Sequence, residues 1–332
     1  MKQETDSSRD ADVRGRGWHI RVPATAANLG PGFDCFGLAL QRYLSATARR
    51  TGAPGGWDLT VHGEGADTLP LDKSNLVYRA FLLGAARGAG ATCGAAIAVP
   101  GVAVDMTNEI PLARGQGSSA AAIVIGLTLG HLLTRGEVDR SALIALAAAM
   151  EGHPDNVASA VMGGLVLTRD AGGSIHARPI PTRNGVIFVS AVPAFQLATH
   201  ASRAVLPRQV SLDDAVFNLR AAAWMAAAWA AGDWEAVAEA MEDRLHQPYR
   251  AALIPGFHDV CAAAREAGAL AVCLSGSGPT IMALTVTRAD EVGQAMEAAW
   301  RRFGVASRAE IAPVDTEGLR ITPFADADDA SR

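Results

Sequence analysis

The amino-acid sequence predicts an α+β protein built from two domains. The chain has 332 residues, 49% of them apolar, which is enough for a large core and exceeds the usual size of one domain. In the first half, strand-like patterns precede a helix, a further strand pair and a glycine-rich loop that opens a long apolar helix. Strands and helices also alternate in the second half. This order favours two sheets, each with helices packed against it.

The N-terminal half contains strands, a helix, a further strand pair and then the long helix. Residues 24–37 are rich in glycine and proline, so we expect a structured loop there and no regular element. Ser74 is the expected cap of the first helix. The predicted elements are strands at 18–23, 38–49 and 57–62, a helix at 74–87, a strand pair across 93–104 and an apolar helix that follows residues 111–122 and ends near 133.

The C-terminal half begins after a predicted turn at 170–174, where we place the domain boundary to within about ten residues. The domains are therefore predicted at 18–170 and 171–318, with disordered segments at 1–17 and 319–332. The remaining elements are predicted as helices at 141–150, 211–231, 233–244 and 289–303, a helix starting at Thr199, and strands at 163–167, 186–192, 270–274, 281–286 and 308–312.

Composition excludes several classes of function. The formal net charge is −5 and the arginines are scattered, so no nucleic-acid-binding surface is indicated. Four cysteines without a C-x-x-C pair favour free thiols in a reducing cytoplasm. No run reaches the roughly 18 to 20 uninterrupted apolar residues of a membrane span, and the polar N-terminus lacks the apolar region of a signal peptide. We expect a cytoplasmic protein with a small-molecule partner, and a homodimer through its tryptophan-rich helices.

Residues 115–119 have the composition of an anion-binding loop. Gly115 and Gly117 allow tight turns, and Ser118 and Ser119 stand where the apolar helix begins. The first turn of a helix has unpaired N–H groups and a partial positive charge, so it can hold a phosphate with little help from side chains.

Three other interpretations of this loop are possible. A Walker A loop requires a lysine, but the chain has only Lys2 and Lys73, and neither is nearby. The segment 115–120 also fits the dinucleotide pattern G-x-G-x-x-A, although a polar approach interrupted by Pro111 precedes it instead of a buried strand. An ordinary helix start capped by serines explains the loop locally, so other motifs must decide.

The other motifs support a resemblance to a known family. Pro-x-x-x-Gly-x-Gly-Ser-Ser-Ala at 111–120 resembles the phosphate loop of the GHMP small-molecule kinases, with Gln116 where leucine is usual. Asn-Leu-Gly-Pro-Gly-Phe-Asp-x-Phe-Gly at 28–37 and Glu-Gly-x-Pro-Asp-Asn-Val-Ala at 151–158 resemble segments of the homoserine kinases within that family. So do Thr-x-x-x-Arg at 199–203, Asp-Arg-x-His-Gln-Pro-Tyr-Arg at 243–250 and the glycine-rich loop 275–280. The segments occur in family order over residues 18–315.

The resemblance implies a two-domain GHMP kinase fold with a ferredoxin-like C-terminal domain, an ATP site, Mg²⁺ and L-homoserine as the acceptor. By resemblance, ATP is bound by Pro111, Arg114, Gly115, Gln116, Gly117, Ser118, Ser119, Ala120 and Ala121, and Mg²⁺ by Ser118 and Glu151. The acceptor is bound by Asn28, Asp34, Thr199, Arg203, Arg244 and Gly276, and its hydroxyl is positioned by His153, Asp155 and Asn156. His246 is expected to be a buried hydrogen-bonding residue.

The implied activity is ATP-dependent phosphorylation of homoserine on the route to threonine. Whether Asp155 acts as a general base stays open at this point. Another GHMP kinase that acts on mevalonate or a shikimate-type alcohol is the nearest alternative, but two arginines beside Asp34 favour an amino-acid acceptor. A non-catalytic nucleotide sensor would be expected to lack Glu151 or Asp155, and both are present.

Overall fold

The computed structural model describes residues 16–90 and 99–325. Within them the strands are β1 (Arg16–Asn28), β2 (Gly32–Thr51), β3 (Trp57–Gly63), β4 (Gly101–Asn108), β5 (Leu165–Ala171), β6 (Ser174–Ile180), β7 (Ile187–Pro193), β8 (Ala271–Leu274), β9 (Ile281–Thr285), β10 (Ser307–Pro313) and β11 (Arg320–Ala325). The helices are α1 (Leu76–Gly88), α2 (Ser118–Arg135), α3 (Arg140–Glu151), α4 (Asp155–Met162), α5 (Thr199–Ala204), α6 (Leu212–Ala231), α7 (Trp234–Glu239), α8 (Gln247–Arg250), α9 (Phe257–Glu266) and α10 (Ala289–Arg302).

The first sheet has the strand order β11-β1-β2-β4-β3, and the β5–β6 hairpin joins it through β2. All its described pairs are antiparallel except β3 with β4. Alternate residues along β4 are buried, so one face of the sheet lies on the core.

Helix α2 lies in the centre of this core. It packs on α1 with very close backbones: a Cβ on Gly126 would lie 2.3 Å from the carbonyl oxygen of Val77. It also contacts β1, β2 and α4. This packing fixes the start of α2 at the end of β1, where the functional cleft is found.

The second sheet is antiparallel, with the order β10-β7-β9-β8. Helices α9 and α10 pack together and contact its strands. The chain order of a strand, helices, two strands, a helix and a last strand, with the first and third strands adjacent in the centre, is that of a ferredoxin-like domain. The expected C-terminal architecture is confirmed.

The loop predicted at 24–37 is wrong. Strand β1 continues to Asn28 and β2 starts at Gly32, so only three residues connect them. Asn28, Leu29 and Gly30 all have positive φ values, of 73°, 46° and 75°. The glycines and Pro31 therefore form one tight turn between two strands, which contain most of the segment.

Two further boundaries differ from prediction, and a third expectation lies partly outside the described residues. Helix α1 is capped by Asn75 and not by Ser74, because the Asn75 side chain accepts from the Val77 N–H. Of the strand pair expected across 93–104, only β4 lies in the described part, since residues 91–98 fall outside it. The disordered tail expected from residue 319 is wrong up to Ala325, because β11 pairs with β1.

The predicted domain boundary, placed at 170–174 to within about ten residues, lies close to the change of sheets. The predicted turn at 170–174 is the tip of the β5–β6 hairpin, and β6 still belongs to the first sheet. The chain changes sheets between Ile180 and Ile187, and it returns to the first sheet through β11. The N-terminal segment predicted as disordered, residues 1–17, lies outside the described residues except for its last two, which begin β1.

The described cysteines and the most apolar helix bear on two further expectations. Cys35, Cys261 and Cys273 are free thiols, and Cys93 lies outside the described residues. Within the described residues, α2 has the length and composition of a membrane span, but most of it is buried inside the protein. Such burial is typical of the core helix of a soluble protein.

Candidate active site

One cleft between the two sheets gathers almost all the predicted site residues. Of those residues, all except Ala120, Ala121 and Arg244 line it. The lining is contributed by the end of β1, the start of β2, the loop before α2, the junction of α3 with α4, the start of α5, the loop after β8 and the end of α8. It consists of Ala27, Asn28, Asp34, Pro111, Ala113, Arg114, Gly115, Gln116, Gly117, Ser118, Ser119, Glu151, His153, Asp155, Asn156, Leu197, Ala198, Thr199, Arg203, Arg250, Gly276 and Ser277.

The glycine-rich loop has the backbone that its glycines predicted. Gly115 and Gly117 have φ values of 73° and 71°, and Gly117 is the N-cap of α2 without a side-chain cap. A Cβ on Gly117 would lie 1.9 Å from Oγ1 of Thr25. Neither serine caps the helix, since Ser118 and Ser119 are its first two residues. The unpaired N–H groups of this first turn therefore lie at the cleft.

Two residues assigned to the ATP site by resemblance, Ala120 and Ala121, belong to the first turn of α2 but do not line the cleft. Ala120 and Ala121 are fully buried, because their side chains pack in the core of the first domain. Arg114 lines the cleft, but its guanidinium donates to the carbonyl oxygens of Pro193, Leu112 and Ala194 at 2.9, 2.9 and 2.7 Å. Arg114 thus fixes the loop against the end of β7, with three of its five N–H donors bonded to carbonyl oxygens.

The loop that follows β8 closes over the phosphate loop. Ser275 Oγ donates to the Gly115 carbonyl at 2.6 Å, and the Gly276 N–H donates to the Ala27 carbonyl at 3.0 Å. Asn28 Nδ2 donates to the Gly276 carbonyl at 2.8 Å. These contacts hold three glycine-rich segments, at 28–37, 115–119 and 275–280, together on one side of the cleft.

A carboxylate and a hydroxyl meet beside the start of α2. Ser119 Oγ donates to Glu151 Oε2 at 2.7 Å, so Ser119 is the serine that contacts Glu151, although Ser118 was the expected metal partner. No cluster of three or more His, Cys, Asp or Glu side chains suited to a metal exists among the described residues. Glu151 with one serine hydroxyl still suits Mg²⁺, which prefers oxygen and takes further ligands from phosphates and water.

His153, Asp155 and Asn156 form a connected group at the junction of α3 with α4. His153 Nδ1 lies 2.7 Å from Asp155 Oδ1, which also accepts from the Asn156 N–H at 2.7 Å. Asn156 Oδ1 accepts from Thr25 Oγ1 at 2.7 Å. Burial acts to lower the pKa of His153, but the hydrogen bond to Asp155 and its charge outweigh burial, and the pKa is raised. His153 is therefore held close to a buried carboxylate.

On the opposite wall Arg203 and Asp34 form a bidentate ion pair. The Nη2–Oδ1 and Nη1–Oδ2 distances are 2.6 and 3.0 Å. The hydrogen bond to Asp34 raises the pKa of Arg203 further above its usual value. Asn28 Oδ1 accepts from the Asp34 N–H at 3.0 Å. Thr199 lies one turn before Arg203 on α5, with its hydroxyl 3.4 Å from that of Ser277.

The assignment of Arg244 to the acceptor site is not supported by its position. Its guanidinium lies 3.7 Å from the centre of the Phe217 ring, near Asp214 and Glu242, and outside the cleft lining. Arg250 lines the cleft in its place and is 1% exposed. Both arginines belong to the motif at 243–250, so the motif did indicate an arginine at the acceptor site. Its spacing in the sequence does not show which of the two arginines lies in the cleft.

Gln116 has a buried polar atom without a partner. The residue is 4% exposed and lines the cleft, and its Nε2 has no hydrogen-bond partner among the described residues. Buried amides normally have partners. An acceptor-rich ligand such as a phosphate group would supply one, so the loop fits a phosphate chemically.

The chain matches two family models, which are described as the GHMP kinases N terminal domain over residues 75–164 and GHMP kinases C terminal over residues 225–302. It is 46% identical over 286 residues to a homoserine kinase of Moorella thermoacetica, covering 86% of this chain and 93% of that protein. It is 38% identical over 304 residues to a homoserine kinase of Desulfitobacterium hafniense, covering 91% and 99%.

A solved structure agrees with these sequences. The crystal structure of homoserine kinase from Cytophaga hutchinsonii is 29% identical and superposes with a TM-score of 0.82, over 92% of this chain and 97% of that chain. The two-domain architecture, the order of motifs and the relatives therefore agree. This chain belongs to the GHMP kinase family and, within it, to the homoserine kinases.

Proposed function

We propose that the cleft transfers the γ-phosphoryl group of ATP to the side-chain hydroxyl of L-homoserine, giving ADP and O-phospho-L-homoserine for threonine biosynthesis. The observation that carries this proposal is the pairing of Arg203 with Asp34 in the same cleft as the phosphate loop. A site with both a cation and an anion matches a zwitterionic acceptor. Homoserine kinase relatives over most of the chain support the same acceptor.

The phosphates of ATP are proposed to bind at Gly115 to Ser119, where the first turn of α2 offers unpaired N–H groups. Glu151 and the neighbouring serine hydroxyls would hold Mg²⁺. The metal would supply positive charge for the β- and γ-phosphate oxygens. Gln116 Nε2 is positioned in the same loop as an additional donor.

The acceptor is proposed to bind with its carboxylate at Arg203 and Arg250 and its ammonium at Asp34. Guanidinium groups bind carboxylates bidentately, which favours arginine at such a site. Burial lowers the pKa of Arg250 to about 10, with the charge of Arg203 adding to this effect, so Arg250 remains a cation at neutral pH. A hydroxy acid such as mevalonate has no ammonium group for Asp34.

In the reaction the acceptor oxygen attacks the γ-phosphorus, a new P–O bond forms, the bond to the β-phosphate oxygen breaks to release ADP, and the hydroxyl proton passes to a phosphoryl oxygen and then to water. Phosphoryl transfer proceeds through a loose transition state, so alignment and charge neutralisation matter more than deprotonation. Asp155 Oδ1 lies 2.7 Å from His153 Nδ1 and accepts from the Asn156 N–H, so the carboxylate is held in one orientation. Because deprotonation contributes little to a loose transition state, we propose that Asp155, His153 and Asn156 orient the hydroxyl, and that Asp155 is not a general base.

The experiment that tests the proposed function is a coupled ADP-release assay with L-homoserine, L-serine and mevalonate side by side. The proposal expects the highest kcat/KM with homoserine. A higher value with mevalonate would identify a different GHMP kinase, and no acceptor-dependent ADP release would support a nucleotide sensor instead.

We further propose a cytoplasmic homodimer that pairs through α6. Of the tryptophans that suggested a dimer, Trp229 is buried, whereas Trp224 is 60% exposed. Leu212 and Leu219 on the same helix are 79% and 70% exposed. Light scattering of the wild-type chain and of Leu219→Arg tests this, with a dimer expected only for the wild type.

A further inference from the structure

His246 connects two walls of the cleft although it does not line the cleft itself. The residue is fully buried at the start of α8. Its Nε2 lies 2.8 Å from the carbonyl oxygen of Gly30, in the turn between β1 and β2. Its Nδ1 lies 3.2 Å from Nη1 of Arg250.

The two partners determine which ring nitrogen carries the proton. A carbonyl oxygen only accepts, so Nε2 must be the donor toward Gly30. A guanidinium only donates, so Nδ1 must be the unprotonated acceptor toward Arg250. Both contacts are satisfied together only by the neutral imidazole with its proton on Nε2.

The surroundings favour this neutral form. Burial lowers the pKa of His246 most, Asp243 opposes that effect, Arg250 adds to it, and the result is about 4. The Asp243 carboxylate already accepts from Asn218 Nδ2 and from the backbone N–H groups of Leu245, His246 and Gln247. Its Oδ2 also lies 3.5 Å from Nε2 of His246, and because a carboxylate only accepts, this contact too favours the proton on Nε2.

Arg250 is held by three contacts that leave one nitrogen available. Nη1 donates to the Gly276 carbonyl at 3.1 Å as well as to His246, and Nε donates to the Ser202 carbonyl at 3.3 Å. Nη2 has no hydrogen-bond partner within residues 16–90 and 99–325. The Phe33 ring lies 5.3 Å from the guanidinium carbon and stacks on His246. His246 therefore fixes Nη1 of Arg250 and leaves Nη2 available.

We infer that His246 is a positioning residue for the acceptor: it holds the Arg250 guanidinium so that Nη2 receives the acceptor carboxylate. The inference rests on the proposed function, since it concerns the same site. It assigns to His246 a role in acceptor affinity without contact to the acceptor. Through Gly30 the same ring also supports the turn that precedes Asp34.

Three substitutions of His246 separate its two contacts. His246→Asn keeps an acceptor near the position of Nδ1, His246→Gln keeps a donor near the position of Nε2, and His246→Phe keeps the ring without either. If the contact with Arg250 matters, His246→Asn retains a KM for homoserine within about threefold of wild type. His246→Gln and His246→Phe raise that KM about tenfold or more, as expected for loss of a charge-assisted hydrogen bond. The KM for ATP should not change.

A double-mutant cycle supplies a readout that a merely structural role would not give. In the Arg250→Met background, His246→Phe should add less than about twofold to the KM for homoserine, because the residue through which it acts is gone. Equal KM values for the Asn and Gln variants, or additive effects in the cycle, would overturn the inference. Absence of homoserine-dependent ADP release by the wild-type chain would instead overturn the proposed function and this inference together.

Nitrogen-15 NMR of the imidazoles tests the geometry without any variant that must fold. At pH 7 we expect the His246 resonances of a neutral ring that is protonated at Nε2 and unprotonated at Nδ1. A ring protonated at Nδ1, or a charged ring, would contradict the contact with Arg250.

Discussion

Arg203 and Asp34, separated by 169 positions in the chain, form a bidentate pair across the cleft, with distances of 2.6 and 3.0 Å. Arg203 is on α5 and Asp34 on β2, so the pair links a helix that follows β7 to a strand of the first sheet. A zwitterion that binds with its carboxylate at Arg203 and its ammonium at Asp34 would replace one ion pair by two. The free protein thus keeps both charges compensated until the acceptor binds.

Arg203→Met and Asp34→Asn are each expected to raise the KM for homoserine by about 10- to 100-fold, because each removes a charge-assisted contact. Arg203→Lys should also be impaired, since lysine cannot bind a carboxylate bidentately. Steady-state kinetics with homoserine varied at saturating ATP measure the effect. An unchanged KM for homoserine in either charge-removing variant would place the acceptor elsewhere.

Arg250 and Arg244 provide a matched pair of arginines from one motif. Arg250→Met should raise the KM for homoserine by about 10- to 100-fold, because a buried guanidinium in the cleft is lost. Arg244→Met should stay within about twofold, since its ion pairs are partly exposed and lie outside the cleft. The reverse result in the same kinetic assay would restore Arg244 as the substrate residue.

Asp155→Asn distinguishes orientation from general-base catalysis. An amide keeps an oxygen that can accept from the Asn156 N–H, so we expect kcat to fall by less than about tenfold, whereas loss of a true base costs about 10²- to 10⁴-fold. A larger loss would assign proton abstraction to Asp155.

The same substitution should move the titration of His153. In the wild type the pKa is above its ordinary value of 6.5 because Asp155 outweighs burial. Without the carboxylate charge only the effect of burial remains large, so the pKa in Asp155→Asn should fall below that value. The His153–Asp155 pair stabilises the fold at pH below 6.5, and this contribution is lost as the pH rises through the raised pKa. NMR titration of His153 in both proteins measures the shift, and no change would mean that the contact is absent in solution.

Gln116→Leu removes the buried amide that lacks a partner. The variant should be more stable than wild type without ligand, by an amount on the order of 1 to 3 kcal/mol, because an unsatisfied buried donor is destabilising. Stabilisation by MgATP should be smaller in the variant, since a donor to phosphate is lost. Thermal unfolding with and without MgATP tests both signs. A variant that is less stable alone and equally stabilised by MgATP would show that Gln116 serves only packing.

The parts of the site that are local in sequence could be predicted well. Gly115 and Gly117 indicated a turn of positive φ before an apolar helix, and the structure has that turn. The segment 151–156 was identified because four polar residues cluster around Pro154, which prevents a continuous helix, and a helix cap alone does not account for all four. In both cases the physical reason lies in the backbone of a short segment.

The parts that depend on long-range contacts could not be predicted. Glycine and proline at 28–37 suggested a loop, but pairing with distant strands extends β1 and β2 into that segment. Arg114 was predicted to bind ATP, but its guanidinium donates to the carbonyl oxygens of Pro193 and Ala194, which are distant in the sequence. Arg244 precedes α8 and lies outside the cleft, whereas Arg250 ends that helix and lines the cleft, a difference that spacing in the motif does not show.

The most direct test of the central claim is a crystal structure of the chain with a non-hydrolysable ATP analogue, Mg²⁺ and L-homoserine. We expect phosphates at residues 115–119, the acceptor carboxylate at Arg203 and Arg250, its ammonium at Asp34, and its hydroxyl oxygen about 3 to 3.5 Å from the γ-phosphorus. Homoserine bound away from Arg203 and Asp34, or phosphates bound away from the start of α2, would contradict it.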